Sequence, residues 1–153
     1  MASPASINPR IVEGLYAEAL ALSDDVRAAF ASHGRIEGED ADLAAVALSC
    51  EALRTTTRMM HAVAWLLNHR AYFVGDLSEF QLRRYGKLVD FPEGDPIHLV
   101  QLKPEMRELI RATELFHARL KRLDNGWRER EAGMPSAITR LRERLAQQAV
   151  RSN

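Results

Sequence analysis

The fold is decided by one long stretch, DLAAVALSCEALRTTTRMMHAVAWLLNHRAYF, residues Asp42–Phe73. It contains no proline or glycine, and its apolar residues recur every three or four positions, which predicts one unbroken helix. These residues form two stripes. The first stripe comprises Leu43, Val46 with Ala47, Cys50, Leu53, Thr57, Met60, Ala64 and Leu67, and the second comprises Leu48, Ala52, Thr55, Met59, Val63 and Leu66. Such a helix must be covered on two sides, either at the centre of its own bundle or partly by another subunit.

Other helices are predicted on both sides of this stretch. Asn8–Pro9 is a cap followed by a proline at the first helical position, and Gly34 is the expected stop of that helix. Ser78 and Gln81 have the spacing of a capping box, which predicts a short helix over residues 79–85. Residues 87–103 have the composition of a loop, and Pro104 begins a third long helix. Its apolar seam is Leu102, Met106, Leu109, Thr113, Phe116, Leu120, Leu123 and Trp127.

These elements predict an all-α protein, an elongated up-down-up three-helix bundle with a short extra helix. The bundle domain is expected over residues 1–132, and residues 133–153 are expected to form a flexible or weakly helical basic tail. Ser136 can cap the tail helix, whose apolar stripe is narrow: Ile138, Leu141, Leu145 and Ala149. Asn125–Gly126 favours a break in the third long helix and Trp127 favours its continuation, so the sequence leaves that point open.

Composition indicates a globular protein, with 46% hydrophobic and 27% charged residues. The 21 basic and 21 acidic residues cancel, so no overall field attracts a nucleic acid or an anionic membrane. The N-terminal MASPASINPR lacks the order of a secretory signal, and the longest apolar stretch, Met59–Leu67, is far shorter than the ~20 residues of a membrane span. We therefore expect a cytoplasmic protein that does not engage a membrane.

Catalytic motifs are absent from the sequence. It has neither a glycine-rich phosphate loop nor a G-x-S-x-G elbow, and its single cysteine, Cys50, rules out an intramolecular disulfide. Glu114 and His117 have the Glu-x-x-His spacing of di-iron bundles, but that site needs a second copy of the motif. We expect no enzyme activity, metal or cofactor, and we expect Cys50 and the pair Met59–Met60 to pack in the core.

Candidate partner-binding residues lie in two places. On the long helix they form a polar stripe of Glu51, Arg54, Arg58, His61, Trp65 and Arg70, and in the tail they are Leu141, Arg142 and Leu145. The alternative for the polar stripe is a set of pairs within the helix, such as Glu51 with Arg54. His69, near the end of the same helix, is expected to be a cation at the negative end of the helix dipole.

The C-terminal third offers an alternative function. Between Lys121 and Arg151 there are 8 basic and 4 acidic residues, which would suit a small helical regulator associated with nucleic acid. Since no aromatic residue follows Trp127, the segment has no surface on which bases could stack. Nucleic-acid binding is therefore the less favoured alternative.

A family resemblance is carried by SCEALRTTTRMMHAVAWLLNHRAYFVGDLSEFQLRRYG (Ser49–Gly86) and GLYAEALALSDDVRAAF (Gly14–Phe30). Together they resemble the regulator of CtrA degradation (RcdA) family of alphaproteobacteria. The resemblance implies a homodimeric three-helix bundle that acts as a non-enzymatic adaptor in regulated proteolysis. Such an adaptor joins the ClpXP protease, primed by the response-regulator-like protein CpdR, and tethers protein cargo to it.

The cargo of that family includes the cell-cycle transcription regulator CtrA, delivered with the cyclic-di-GMP-binding protein PopA. The resemblance also implies that the tail is flexible and needed for function, and it suits a position at a cell pole.

Overall fold

The computed structural model describes residues 7–32, 38–39, 41–133 and 137–151, and all regular structure within them is helical. The helices are α1 (Pro9–Ala31), α2 (Ala41–Phe73), α3 (Glu79–Tyr85), α4 (Pro96–Leu99), α5 (Pro104–Gly133) and α6 (Ala137–Arg151). The all-α bundle is confirmed. In the part of the chain described, no helix combines the length and the apolarity that crossing a membrane requires.

Local signals place the helix starts where the sequence predicts them. Asn8 Oδ1 accepts a hydrogen bond from Ile11 N at 2.9 Å, and Pro9 follows it. The capping box of α3 is complete, because Ser78 Oγ accepts from Gln81 N at 3.2 Å and Gln81 Oε1 accepts from Ser78 N at 2.9 Å. The expected stop at Gly34 and the expected cap at Ser136 lie outside the described residues.

Helix α1 runs antiparallel to both other long helices. Glu13, near its start, binds Arg70 near the end of α2 at 2.6 Å, and Glu18 pairs with Arg119 of α5. The core between the three helices consists of Val12, Leu15, Ala19, Met59, Ala62, Trp65, Leu66, Leu88, Phe116 and Leu120. A second cluster of Leu102, Met106 and Ile110 closes the other end of the bundle against Phe30 and Leu48.

Helices α2 and α5 run parallel to each other. Arg58 binds Thr113 at 2.9 Å, and seven residues further along α2, Trp65 binds Asp124 at 3.1 Å. This direction differs from the expected up-down-up order. Residues 74–103 are long enough to return along the whole bundle, so α5 begins at the same end of the bundle as α2 and runs in the same direction.

The length of α5 and the presence of α4 are two features that the sequence patterns did not establish. Helix α5 continues through Asn125–Gly126 to Gly133, which answers the question that the sequence left open. The segment expected to be a loop contains one helical turn, α4, capped by Asp95 Oδ1 on Ile97 N at 2.9 Å. Asp95–Pro96 repeats the cap-and-proline pattern of Asn8–Pro9, so the signal for α4 was present in the sequence.

Candidate functional site

Residues 86–103, which we call the strap, connect α3 to α5 and lie along α2 and α5. Apart from α4 the strap is irregular, so its backbone N–H and C=O groups need partners from outside the segment. Side chains of α2 and α5 provide them. The resulting polar cluster accounts for the buried polar residues Glu51, Arg58, His117 and Asp124.

Asp124 is the main contact of α5 with the strap. Its fully buried carboxylate accepts from Leu88 N at 3.1 Å, from Trp65 Nε1 at 3.1 Å and from Arg128 Nε at 3.2 Å. Lys121, one turn earlier, donates to Leu88 O at 2.8 Å. One carboxylate thus joins α2, the strap and α5.

Arg58 is the central contact of α2. Its guanidinium is almost fully buried and donates to Pro92 O at 2.8 Å and to Thr113 Oγ1 at 2.9 Å. Burial lowers the pKa of Arg58, and the nearby carboxylates of Glu114 and Glu51 oppose that shift. Arg58 therefore acts as a buried cation whose donors hold the strap in place.

Glu51 holds the part of the strap around α4. Its Oε1 accepts from Arg54 Nη1 at 2.9 Å and from Asp95 N at 3.1 Å, and His98 Nδ1 lies 3.2 Å from the same oxygen. The other oxygen, Oε2, faces Gly94. A Cβ at Gly94 would lie 3.1 Å from Oε2 and 3.1 Å from the Leu99 methyl groups, so only glycine fits there without displacement.

The polar stripe expected to bind a partner faces mostly inward. Glu51, Arg58 and Trp65 are buried, so their assignment to a docking surface is corrected: they hold the strap and α5 instead. Glu51–Arg54 is indeed the pair formed within the helix. The other three side chains are partly exposed. Arg54 binds Glu51, His61 lies beside the Phe91 ring, and the Arg70 guanidinium lies over the Tyr16 ring. Partner binding by these three stays a prediction.

The Glu114–His117 pair also serves the strap. Glu114 accepts from Gly94 N at 2.7 Å, and His117 Nε2 lies 3.1 Å from Val89 O. The described residues contain no group of three or more side chains placed to hold a metal ion.

His69 is not the exposed cation that its position near a helix end suggested. Its ring is buried between Trp65, 4.2 Å away, and Trp127, 5.7 Å away, measured between ring centroids. Burial lowers the pKa of His69 to about 4, so the ring is neutral at pH 7. This expectation is corrected.

Of the two apolar stripes of α2, one is largely buried and the other is largely exposed. The second is packed in the bundle, with Thr55, Met59 and Leu66 buried. The first, apart from the buried Ala47, faces outward between Leu43 and Leu67: Leu53 is 71% exposed and Met60 is 66% exposed. Its other exposed members are Leu43, Val46, Cys50, Ala64 and Leu67. The expectation that Cys50 and Met60 lie in the core is therefore wrong, because both belong to the outward stripe.

An apolar groove of about 620 Å³ continues the exposed surface between α1 and α2. Leu20 and Phe30 of α1 and Val63 of α2 line it together with Met60 and Leu67 of the first stripe. The exposed apolar surface of the molecule is thus continuous from α2 to the neighbouring helix.

In the C-terminal segment, residues 121–151, basic side chains on α5 bind other parts of the chain, whereas most of α6 is exposed. Two of its basic residues on α5 have partners within the chain: Lys121 binds Leu88 O and Asp90, and Arg128 binds Asp124 and Arg83 O. Residues 141–149 of α6 are exposed, including the predicted partner-binding residues Leu141, Arg142 and Leu145.

One family model matches nearly the whole chain, over residues 3–149, and its description is protein of unknown function (DUF1465). The chain belongs to this family. No curated protein and no solved structure gives a significant match to the chain.

We expect replacement of Asp124 by alanine to lower the free energy of unfolding by about 3 kcal/mol, because it leaves Trp65 Nε1, Leu88 N and Arg128 Nε without their acceptor. Urea unfolding followed by circular dichroism measures the change. Asp90→Ala is the matched control, since that strap carboxylate is solvent-exposed and pairs with Lys121 at 3.0 Å. It should leave the unfolding curve unchanged, and equal effects of the two substitutions would contradict the role of Asp124.

The buried ring of His69 predicts a loss of stability in mild acid. Its pKa falls from 6.5 to about 4 on folding, so the unfolded chain binds the proton more readily. The stabilisation of the folded state by neutral His69 is complete above pH 6.5 and is lost as the pH falls toward 4. Between pH 7 and pH 5 this loss should lower the free energy of unfolding by about 2 kcal/mol, measured by urea titration at both values.

His69→Phe keeps an aromatic ring between Trp65 and Trp127 but cannot take up a proton. Its loss of stability between pH 7 and pH 5 should be smaller than that of the parent protein by about 2 kcal/mol. Part of the pH dependence should remain, because burial also lowers the pKa of His117. An unchanged pH dependence in the variant would show that His69 is not the responsible group.

Proposed function

We propose that the protein is a non-enzymatic, homodimeric adaptor in regulated proteolysis that tethers cargo, such as cell-cycle transcription regulators, to the ClpXP protease. The observation that carries the proposal is the outward first stripe of α2, an apolar face from Leu43 to Leu67 that no part of the described chain covers. Monomeric proteins rarely leave so large a continuous apolar surface in water, and such surfaces are commonly protein-binding sites.

The spacing of the first stripe supports a second copy as its occupant. Leu43, Val46, Cys50, Leu53, Thr57, Met60, Ala64 and Leu67 are separated alternately by three and four residues. That alternation is the heptad pattern of helices that pack at a shallow angle in a left-handed coil. A stripe of this kind can pair with itself across a two-fold axis, which is the commonest symmetry of protein dimers.

Two further features support an adaptor. The strap displays apolar side chains outward, namely Val89, Ile97 and Val100, on a backbone that buried side chains hold in place. Such a surface is preorganised for binding. The second feature is the resemblance of Ser49–Gly86 to the RcdA family, which supplies the proposed partners: ClpXP, a CpdR-like priming protein and protein cargo. On this proposal the protein is cytoplasmic and acts where the protease is recruited, at a cell pole.

Leu53→Asp should abolish dimerisation while the bundle stays folded. Leu53 lies in the middle of the first stripe and is 71% exposed, so aspartate is tolerated in the monomer but would be buried in a dimer. Analytical ultracentrifugation at micromolar concentration should give a dimer for the parent chain and a monomer for the variant.

Leu115→Asp is the matched control, because Leu115 is a similarly exposed leucine on α5, away from the stripe. It should leave the dimer intact. A parent protein that sediments only as a monomer would overturn the proposed geometry.

Delivery can be tested with purified components. We expect degradation of CtrA by ClpXP, in the presence of CpdR, PopA and cyclic di-GMP, to become several-fold faster when this protein is added. Gel densitometry over time measures the rate. Leu115→Asp should support delivery as the parent does, whereas an unchanged rate with the folded parent protein would refute the adaptor role for this cargo.

A further inference from the structure

We propose that α6 folds back onto the groove between α1 and α2, where it competes with the second copy for the first stripe. The docking of α6 is independent of the proposed function, and only the competition rests on it. Together they would make the C-terminal helix a regulator of the surface through which the protein assembles.

Helix α6 has an apolar face without a partner among the described residues. Leu141 is 58% exposed and Leu145 is 57% exposed, one turn apart on the same side. In the sequence, Ala149 lies one turn further along the same side. A 15-residue helix is marginal by itself in water, so its apolar face needs a surface on which to pack.

The direction of α5 brings that surface within reach. Since α2 and α5 are parallel, with His69 against Trp127, Gly133 lies toward the end of the bundle where α2 ends at Phe73. Three residues separate α5 from α6, a length typical of the connection between antiparallel helices. After such a reversal, α6 would run back along α2.

The lengths agree with this placement. The groove includes α2 residues from Thr56 to Leu67, so it begins six residues before the end of α2, about 9 Å along the axis. Helix α6 is 15 residues long, or about 22 Å, and therefore spans this distance and most of the groove. If α6 starts level with Phe73, Leu145 lies beside Ala64 and Leu141 lies one turn closer to the end of α2.

Charge favours the same position. Residues 9–31 of α1 hold four acidic and two basic side chains, a net charge of −2, and residues 137–151 of α6 hold four basic and one acidic, a net charge of +3. Arg142, next to the apolar face of α6, is exposed, and Asp24 lies on the α1 side of the groove. Opposite net charges on facing helices strengthen their association at low ionic strength.

Docked α6 would cover part of the first stripe. Met60, Ala64 and Leu67 line the groove and also belong to that stripe, so α6 and a second copy cannot occupy them together. The protein would thus exchange between a closed monomer, in which α6 is the fourth helix of the bundle, and an assembled state with α6 released. Release of α6 would free the basic tail and the assembly surface at the same time.

Disulfide trapping in the full-length chain tests the docking. In a Cys50→Ser background, Ala64→Cys combined with Leu145→Cys should form a disulfide within one chain on mild oxidation, seen as a faster band on non-reducing gels. The control pair, Leu115→Cys with Leu145→Cys, places the first thiol beside the separate groove between α1 and α5 and should crosslink much less. Absence of the intrachain crosslink in the first pair, or equal intrachain crosslinking in both pairs, would overturn docking within the chain.

The competition has its own measurement. Leu145→Asp places a charge on the apolar face of α6, and Gln147→Asp places one on the opposite face as a control. By sedimentation, Leu145→Asp should tighten the dimer at least about fivefold and Gln147→Asp should not. Equal dimer affinities of the two variants would show that α6 does not compete with the second copy. An intrachain crosslink in the first pair, together with a Leu145→Asp variant that sediments only as a monomer, would support docking while refuting the proposed dimer, so the two proposals fail separately.

Discussion

The structure depends on one constraint, which is that a peptide segment returning along two parallel helices must find partners for its backbone groups. Apart from α4 the strap forms neither helix nor sheet, so α2 and α5 bring polar side chains into the interior to bond it. Asp124, Arg58 and Glu51 are buried for this reason, and each bonds both the strap and a side chain of α2 or α5. An otherwise apolar bundle thus carries a polar seam on one side of α2, and the exposed first stripe lies on another side of the same helix.

The sequence predicted what local chemistry determines. The caps at Asn8 and Ser78, the length of α2 and its two stripes follow from patterns within a few turns of helix, and the structure confirms them. The direction of α5 could not be predicted. A loop that reverses the chain at the end of the bundle and a segment that returns along the whole bundle have the same local sequence signals. The one-turn helix α4 could have been found, since Asp95–Pro96 carries the same signal as Asn8–Pro9.

The candidate site was predicted only in part, and the errors share one cause. A charged residue on a helix is ordinarily assigned to the surface, so Glu51 and Arg58 were placed on a recognition stripe. Their burial depends on the path of residues 34 and 44 positions away, which periodicity does not encode. Cys50 and Met60 are the opposite error: the heptad pattern predicts a face packed in the core, but both side chains are exposed on the first stripe of α2.

The parallel pairing of α2 and α5 also constrains the order of folding. In the antiparallel pair α1 and α2, contacts near the turn join residues close in the chain, so pairing can start there and spread. The parallel pair has no such starting point: Arg58 and Thr113 are 55 positions apart, and Trp65 and Asp124 are 59 apart. Every contact requires closure of a loop of similar length, whose entropy must be lost before any bond is gained. The α1–α2 hairpin is therefore expected to form first, with the strap and α5 closing over it in one cooperative step.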